Sequence, residues 1–172
     1  MPVMPVVLQT PRLTLRALTL ADAPFIVEQL NERSFIEFIA DRGVRTVADA
    51  EKYVRDGPWA MYAAHGLGLL AVEEKSSGLV VGMCGLLHRP AFPWRDLGYS
   101  LLPRAWGKGY AVEAGRAVLG WGRDALRLPT VIAITSLVNP KSIAVLERLG
   151  FTFEKLVALG NEQVRQFVLP LR

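Results

Sequence analysis

The chain has 172 residues, 51% of them hydrophobic, with a formal charge of +4 and a pI near 9.5. That length fits one domain, expected to span residues 1–172, with a substantial core. No apolar run is long enough to cross a bilayer, and the basic residues are scattered without the aromatic interleaving of a nucleic-acid platform, so membrane and nucleic-acid roles are both disfavoured.

Met1–Leu8 lacks the basic start and the apolar core of a signal peptide, and two prolines interrupt it, so cytoplasm is the default location. Arg12–Leu18 alternates apolar and polar residues and predicts an edge strand. Asp22 is placed to cap a helix over Ala23–Leu30, with Pro24 in its first turn. Ser34–Ala40 predicts a short helix whose aromatic face is Phe35 and Phe38. Thr46 caps a further helix, Val47–Arg55, which is expected to stop before Gly57-Pro58. Gly68–Glu74 and Leu79–Leu87 form a hairpin around Lys75–Gly78. The apolar neighbours of Cys84, the single cysteine, predict a buried thiol rather than a nucleophile. His65 and His88 have too few companions for a zinc site and read as structural or solvent-facing.

Pro90–Trp94 is a rigid loop before a strand over Asp96–Leu102, and the helix Gly109–Leu126 follows with Ala111, Ala114, Val118, Trp121 and Ala125 on one face. Between them lies Arg104-Ala105-Trp106-Gly107-Lys108-Gly109-Tyr110-Ala111. Two close glycines between a strand and a helix leave room for a ligand near the backbone, and the unpaired N–H groups of the first helical turn attract negative charge. No Lys-Ser or Lys-Thr follows in the frame of a nucleoside-triphosphate loop, and Val112 stands where a dinucleotide fingerprint needs its third glycine. An ordinary strand-to-helix turn, with the glycines serving only its geometry, stays open. Thr130–Ser136 is β-branched and predicts a buried strand, and Asn139-Pro140 is a favoured helix start. Phe151–Val157 and Gln163–Leu169 predict a closing strand pair around Gly160-Asn161.

The pattern Arg104-x-x-Gly107-x-Gly109 resembles the pyrophosphate loop of the Gcn5-related N-acetyltransferase (GNAT) superfamily. Asn139, Ser142, Arg148, Gly150 and Phe151 resemble its second cofactor segment. The runs Thr10–Arg16 and Met83–Leu86 are similar to segments of one branch, the ribosomal-protein N-terminal acetyltransferases (RimJ/RimL-like). The resemblance implies an α/β (α+β) fold: a mixed, mostly antiparallel sheet of about six to seven strands, splayed at the cofactor site and flanked by about four helices. It implies acetyl-CoA as acetyl donor, with a pyrophosphate cradle formed by backbone groups of Trp106, Gly107, Lys108, Gly109, Tyr110 and Ala111 and by Arg104. It also implies that backbone groups of Leu101 and Leu102 bond the cofactor arm.

Asn139 would add a cofactor contact to its N-cap role, and Ser142, whose plain alternative is a capping or solvated residue of the first turn, would protonate the departing thiolate, since the helix that carries it has no tyrosine. Asp96 stands where the family often has a glutamate near the acceptor amine, and is a candidate base acting through water. The alternative is a surface aspartate paired with Arg95 or with a neighbouring strand. Arg148 is open between the adenosine 3′-phosphate and a plain surface role. The acceptor groove is expected between Phe35–Arg42, Pro58-Trp59, Phe92–Trp94 and the loop near Gly160. The implied activity is acetyl transfer to a primary amine by direct attack, on a protein N-terminal α-amine or on a small amine such as a polyamine, amino acid or antibiotic. A non-catalytic acetyl-CoA-binding module is the alternative from another class. The oligomeric state, a homodimer included, stays open.

Overall fold

A computed structural model describes residues 6–172; residues 1–5, part of the run tested above as a leader, lie outside the described residues. The strands are β1 (Leu8–Gln9), β2 (Leu13–Ala17), β3 (Leu69–Glu74), β4 (Leu79–Leu87), β5 (Arg95–Leu101), β6 (Thr130–Ser136), β7 (Thr152–Leu159) and β8 (Glu162–Pro170). The helices are α1 (Ala23–Asn31), α2 (Arg33–Phe38), α3 (Val47–Val54), α4 (Ala60–His65), α5 (Tyr110–Asp124) and α6 (Pro140–Arg148). One sheet takes all eight strands in the order β1-β2-β3-β4-β5-β6-β8-β7. Every pairing is antiparallel except β5 with β6.

Two elements go beyond the sequence reading. β1 has only two residues, too few to carry a hydrophobic period. α4 follows because Gly57-Pro58 does not end the preceding helix: Arg55–Trp59 forms a π turn with Pro58 inside it. A wider turn accommodates a residue that has no N–H and whose ring would crowd the carbonyl four residues back.

Capping held at one helix and not at another. Thr46 Oγ1 accepts the Asp49 N–H at 3.1 Å, and Asp49 returns a bond from the Thr46 N–H at 3.0 Å. Asp22 makes no side-chain cap to α1. Its carboxylate instead takes both ends of the Arg16 guanidinium, at 2.9 and 3.0 Å, because a two-pronged ionic partner outcompetes a single backbone N–H.

Strand alternation gives the sheet two apolar faces. Leu13, Leu15, Val72, Cys84, Leu86 and Leu97 pack against α5 and α6 through Val118 and Leu146. Ala71 and Met83 face α1–α3 through Ile26, Leu30 and Val54. Cys84 is fully buried, and burial pushes its thiol up to about 12, as the sequence reading of an inert thiol requires. The N-terminal Thr10-Pro11-Arg12 run clamps to the start of α5. Thr10 Oγ1 and the Arg12 N–H both donate to Glu113 Oε2, at 2.6 and 3.1 Å, and Arg12 Nε donates to Glu113 Oε1 at 2.8 Å. Among the described residues no helix is long and apolar enough to cross a membrane.

Candidate active site

β5 pairs with β4 from Asp96 to Leu101, but with β6 only at Arg95↔Val131 and Asp96↔Ile132. Beyond that point the two parallel strands part. The Leu102 N–H donates to the Val81 carbonyl at 2.8 Å, and an antiparallel ladder alternates, so the backbone groups of Tyr99 and Leu101 face away from β4 into the gap. This corrects the sequence reading at Leu102, whose N–H is already used and whose side chain is buried. A cavity of about 1160 Å³ occupies the gap and reaches both faces of the sheet. On one side it is lined by Ser142 and Val145 of α6, on the other by Gln29, Phe35 and Met83.

The Arg104–Ala111 segment closes one end of this cavity. Gly107 and Gly109 both take left-handed backbone angles, φ +73° and +76°, which a side chain would strain. Gly109 is the N-cap of α5, so the first N–H groups of that helix have no intrahelical acceptor. The Gly107, Lys108 and Gly109 N–H groups donate to no backbone carbonyl among the described residues. Trp106 differs: its N–H is bonded to the Pro103 carbonyl at 3.1 Å, and its indole N–H to the Leu101 carbonyl at 2.9 Å. The turn's own cations are engaged elsewhere. Arg104 pairs with Glu28, and Lys108 Nζ lies 3.5 Å from Glu74; neither residue lines the cavity. The cations that do line it beside this turn come from α6, Lys141 and Arg148. Lys141 Nζ also sits 4.3 Å above the Trp106 ring.

Asn139 caps α6 as the Asn-Pro start predicts. Its Oδ1 accepts the Ser142 N–H at 3.2 Å, and Pro140 fills the first helical position. Ser142 Oγ lies 2.6 Å from the Tyr99 hydroxyl, which also donates to the Ser142 carbonyl at 3.1 Å. Either hydroxyl can be the donor in the 2.6 Å contact. Burial pushes the Tyr99 phenol up to about 12, against the opposing effect of the Ser142 bond. The helix of Ser142 carries no tyrosine; the phenol comes from β5, 43 residues away.

Asp96 is no surface residue. Its side chain is 2% exposed, and its Oδ2 accepts from Arg89 Nε at 2.9 Å rather than from Arg95. Oδ1 has no hydrogen-bond partner among the described residues. Burial raises the pKa of this carboxyl above the ordinary aspartate range, with Arg89 opposing. Asp96 shares a sheet face with Ser100, whose register partner is Met83, so it faces α1–α3, whereas Tyr99 faces α6.

Of the expected acceptor walls, Phe35, Phe38, Ile39 and Arg42 line the cavity, as do Leu159 and Glu162 near the closing turn. Pro58-Trp59 and Phe92–Trp94 do not. Pro58 is buried and the Trp59 indole N–H bonds the Leu18 carbonyl at 2.8 Å, so both belong to the core under α1. Gln29 and Tyr53 line the cavity without any sequence signal, because nothing local distinguishes an inward polar residue on an amphipathic helix. His65 and His88 lie outside it, their rings 4.1 Å apart, with Arg95 against His88 Nδ1.

Residues 12–152 match the acetyltransferase (GNAT) domain family. The chain is 31% identical to an acetyltransferase from Agrobacterium tumefaciens whose crystal structure superposes with a TM-score of 0.79, covering 95% of this chain and 94% of that one. It is 30% identical to the uncharacterized protein YkkB of Bacillus subtilis over 58% of this chain, and the match spans 59% of that protein. The fold is also that of the microcin self-immunity acetyltransferase MccE, solved in complex with acetyl-CoA and AMP, at 19% identity and a TM-score of 0.80 over 94% of this chain and 93% of that one.

Proposed function

The chain belongs to the GNAT acetyltransferase family, and on that premise we propose that it moves an acetyl group from acetyl-CoA to a primary amine by direct attack. The parting of β5 from β6 carries this reading. It leaves an unpaired strand edge beside a long cavity, with unpaired helix N–H groups at one end and a buried carboxylate facing the other sheet layer. These features fit acetyl-CoA: Gly107, Lys108, Gly109, Tyr110 and Ala111 would hold its pyrophosphate, Lys141 and Arg148 would add positive charge, and the Tyr99 backbone would hold its amide arm.

Bound acetyl-CoA supplies the acetyl group as a thioester. Leu101, whose N–H faces the gap, stabilises the acetyl oxygen as it gains negative charge. Asp96 takes a proton from the acceptor ammonium, directly or through water, before attack. Ser142 returns a proton on the opposite face, to the sulfur, and Tyr99 holds its hydroxyl and supplies the next proton in line. Asn139 fixes the helix start that positions Ser142. The RimJ/RimL-like resemblance suggests a protein N-terminal α-amine as acceptor and a cytoplasmic enzyme; a small amine is the other reading. An amine panel with acetyl-CoA, read by release of free CoA, tests the proposal. Tight acetyl-CoA binding in calorimetry with no CoA released on any amine would leave a binding module instead.

A further inference from the structure

The half of the cavity that faces α1–α3 has a composition that restricts what can occupy it. Gln29 is 1% exposed and its carboxamide oxygen has no hydrogen-bond partner among the described residues. Asp96 Oδ1 is in the same condition, and both residues line this one cavity. Buried acceptors without donors are costly to the fold, so a group rich in N–H is the complement the site lacks. An ammonium brings three donors. Phe35, Tyr53 and Met83 supply the surrounding wall, which is apolar and aromatic.

Charge restricts the occupant further. Asp96 is balanced by Arg89. Arg42 also lines the cavity and has no carboxylate partner among the described residues. The other carboxylate on the cavity, Glu162, belongs to the β7–β8 hairpin beyond β6. A polyamine would bring its second ammonium toward an unmatched guanidinium. An amine that also carries a carboxylate would satisfy it.

Resting on the acetyltransferase reading, we infer that the acceptor is a small primary amine with an apolar body and an anionic group. Asp96 and Gln29 take the amine, Phe35, Tyr53 and Met83 take the body, and Arg42 takes the anion. Planar guanidinium and carboxylate pair through two parallel bonds, which makes this end selective as well as attractive.

Matched amines test it. L-Phenylalanine, L-leucine and para-aminomethylbenzoate are each assayed with acetyl-CoA against phenethylamine, isoamylamine and benzylamine, together with spermidine and an alanine-initiated peptide. At least one carboxylate-bearing amine should exceed its decarboxylated partner in kcat/KM by about tenfold or more, the value of one good charge-assisted contact. Arg42→Gln, at an exposed position where folding is readily confirmed by thermal melting, should bring that ratio close to unity. Equal or better turnover of the decarboxylated amines, spermidine or the peptide overturns the inference while leaving the acetyltransferase intact. A preference that survives Arg42→Gln also overturns it. Failure of every amine in the panel to release CoA removes the proposed activity itself, and the inference with it.

Discussion

Replacing Asp96 by Asn separates chemistry from architecture at one atom. The side chain is 2% exposed, and Oδ1 has no partner among the described residues, so the anion is held at a desolvation cost that the neutral amide does not carry. Against this, Arg89 loses its counter-charge, but its side chain is 33% exposed and water can take over. The two effects oppose, and the net stability change should stay within about 1 kcal/mol. Catalysis should respond far more, because loss of a positioned base costs about 10²–10⁴-fold in rate.

The pH dependence fixes the assignment. Burial raises the Asp96 pKa, so the base is lost by protonation at a pH above the ordinary aspartate value of 3.8. Wild type accepts the ammonium, whereas Asp96→Asn needs an amine already free of its proton. Wild-type kcat/KM should be level between the raised pKa and the pKa of the amine and fall about tenfold per pH unit below the former, while that of Asp96→Asn should climb about tenfold per unit toward the pKa of the amine. Linkage gives the matching sign for stability: ionised Asp96 costs stability, and that cost fades as pH falls through the raised value toward 3.8. CoA release measured across pH with the best amine of the panel, alongside thermal melts, checks both. A ratio of wild-type to Asp96→Asn kcat/KM independent of pH, or an Asn variant within threefold of wild type, would refute the assignment of Asp96 as base.

Tyr99→Phe removes the hydroxyl that holds Ser142 Oγ, and kcat should fall about tenfold with acetyl-CoA affinity little changed; an equal loss in Ser142→Ala and in the double variant would show that the two act as a unit. Lys141→Ala should weaken acetyl-CoA binding about fivefold at low salt and less at high salt, whereas Arg104→Ala should change it by less than about twofold, as titration calorimetry at two ionic strengths would reveal. Gln29→Leu should raise KM for every accepted amine while leaving the melting temperature unchanged or higher, since it deletes a buried acceptor with no partner. The Tyr110 hydroxyl donates to Glu74 at 2.6 Å and is the leading cause that holds its carboxyl at about 2 rather than 4.5. A depressed carboxylate stabilises the fold above its unfolded value, so the melting-temperature advantage of wild type over Tyr110→Phe should be full above pH 4.5 and shrink as pH falls toward 2.

What the chain determines by itself is local. Gly107 and Gly109 specify a turn with left-handed backbone whatever surrounds it, and Asn139-Pro140 specifies a helix start, because both depend on dihedral limits and bonds within a few residues. The antiparallel character of most of the sheet was legible for a similar reason, since short turns join β3 to β4 and β7 to β8. The site required contacts that no local pattern encodes. The parting of β5 from β6 arises between strands that are distant in sequence, and the register of β5 on β4 decides that Leu101 rather than Leu102 presents a free N–H to the gap. Long side chains followed tertiary charge rather than sequence position: Arg104 turned to Glu28, and Lys141 came to the cavity in its place. Tyr99 met Ser142, and the Gln29 carboxamide oxygen was left without a donor among the described residues, only because packing closed two sheet faces around one gap. Backbone preference acts over a single turn, whereas the direction of a flexible or buried polar side chain is set by whatever the fold brings within hydrogen-bond reach.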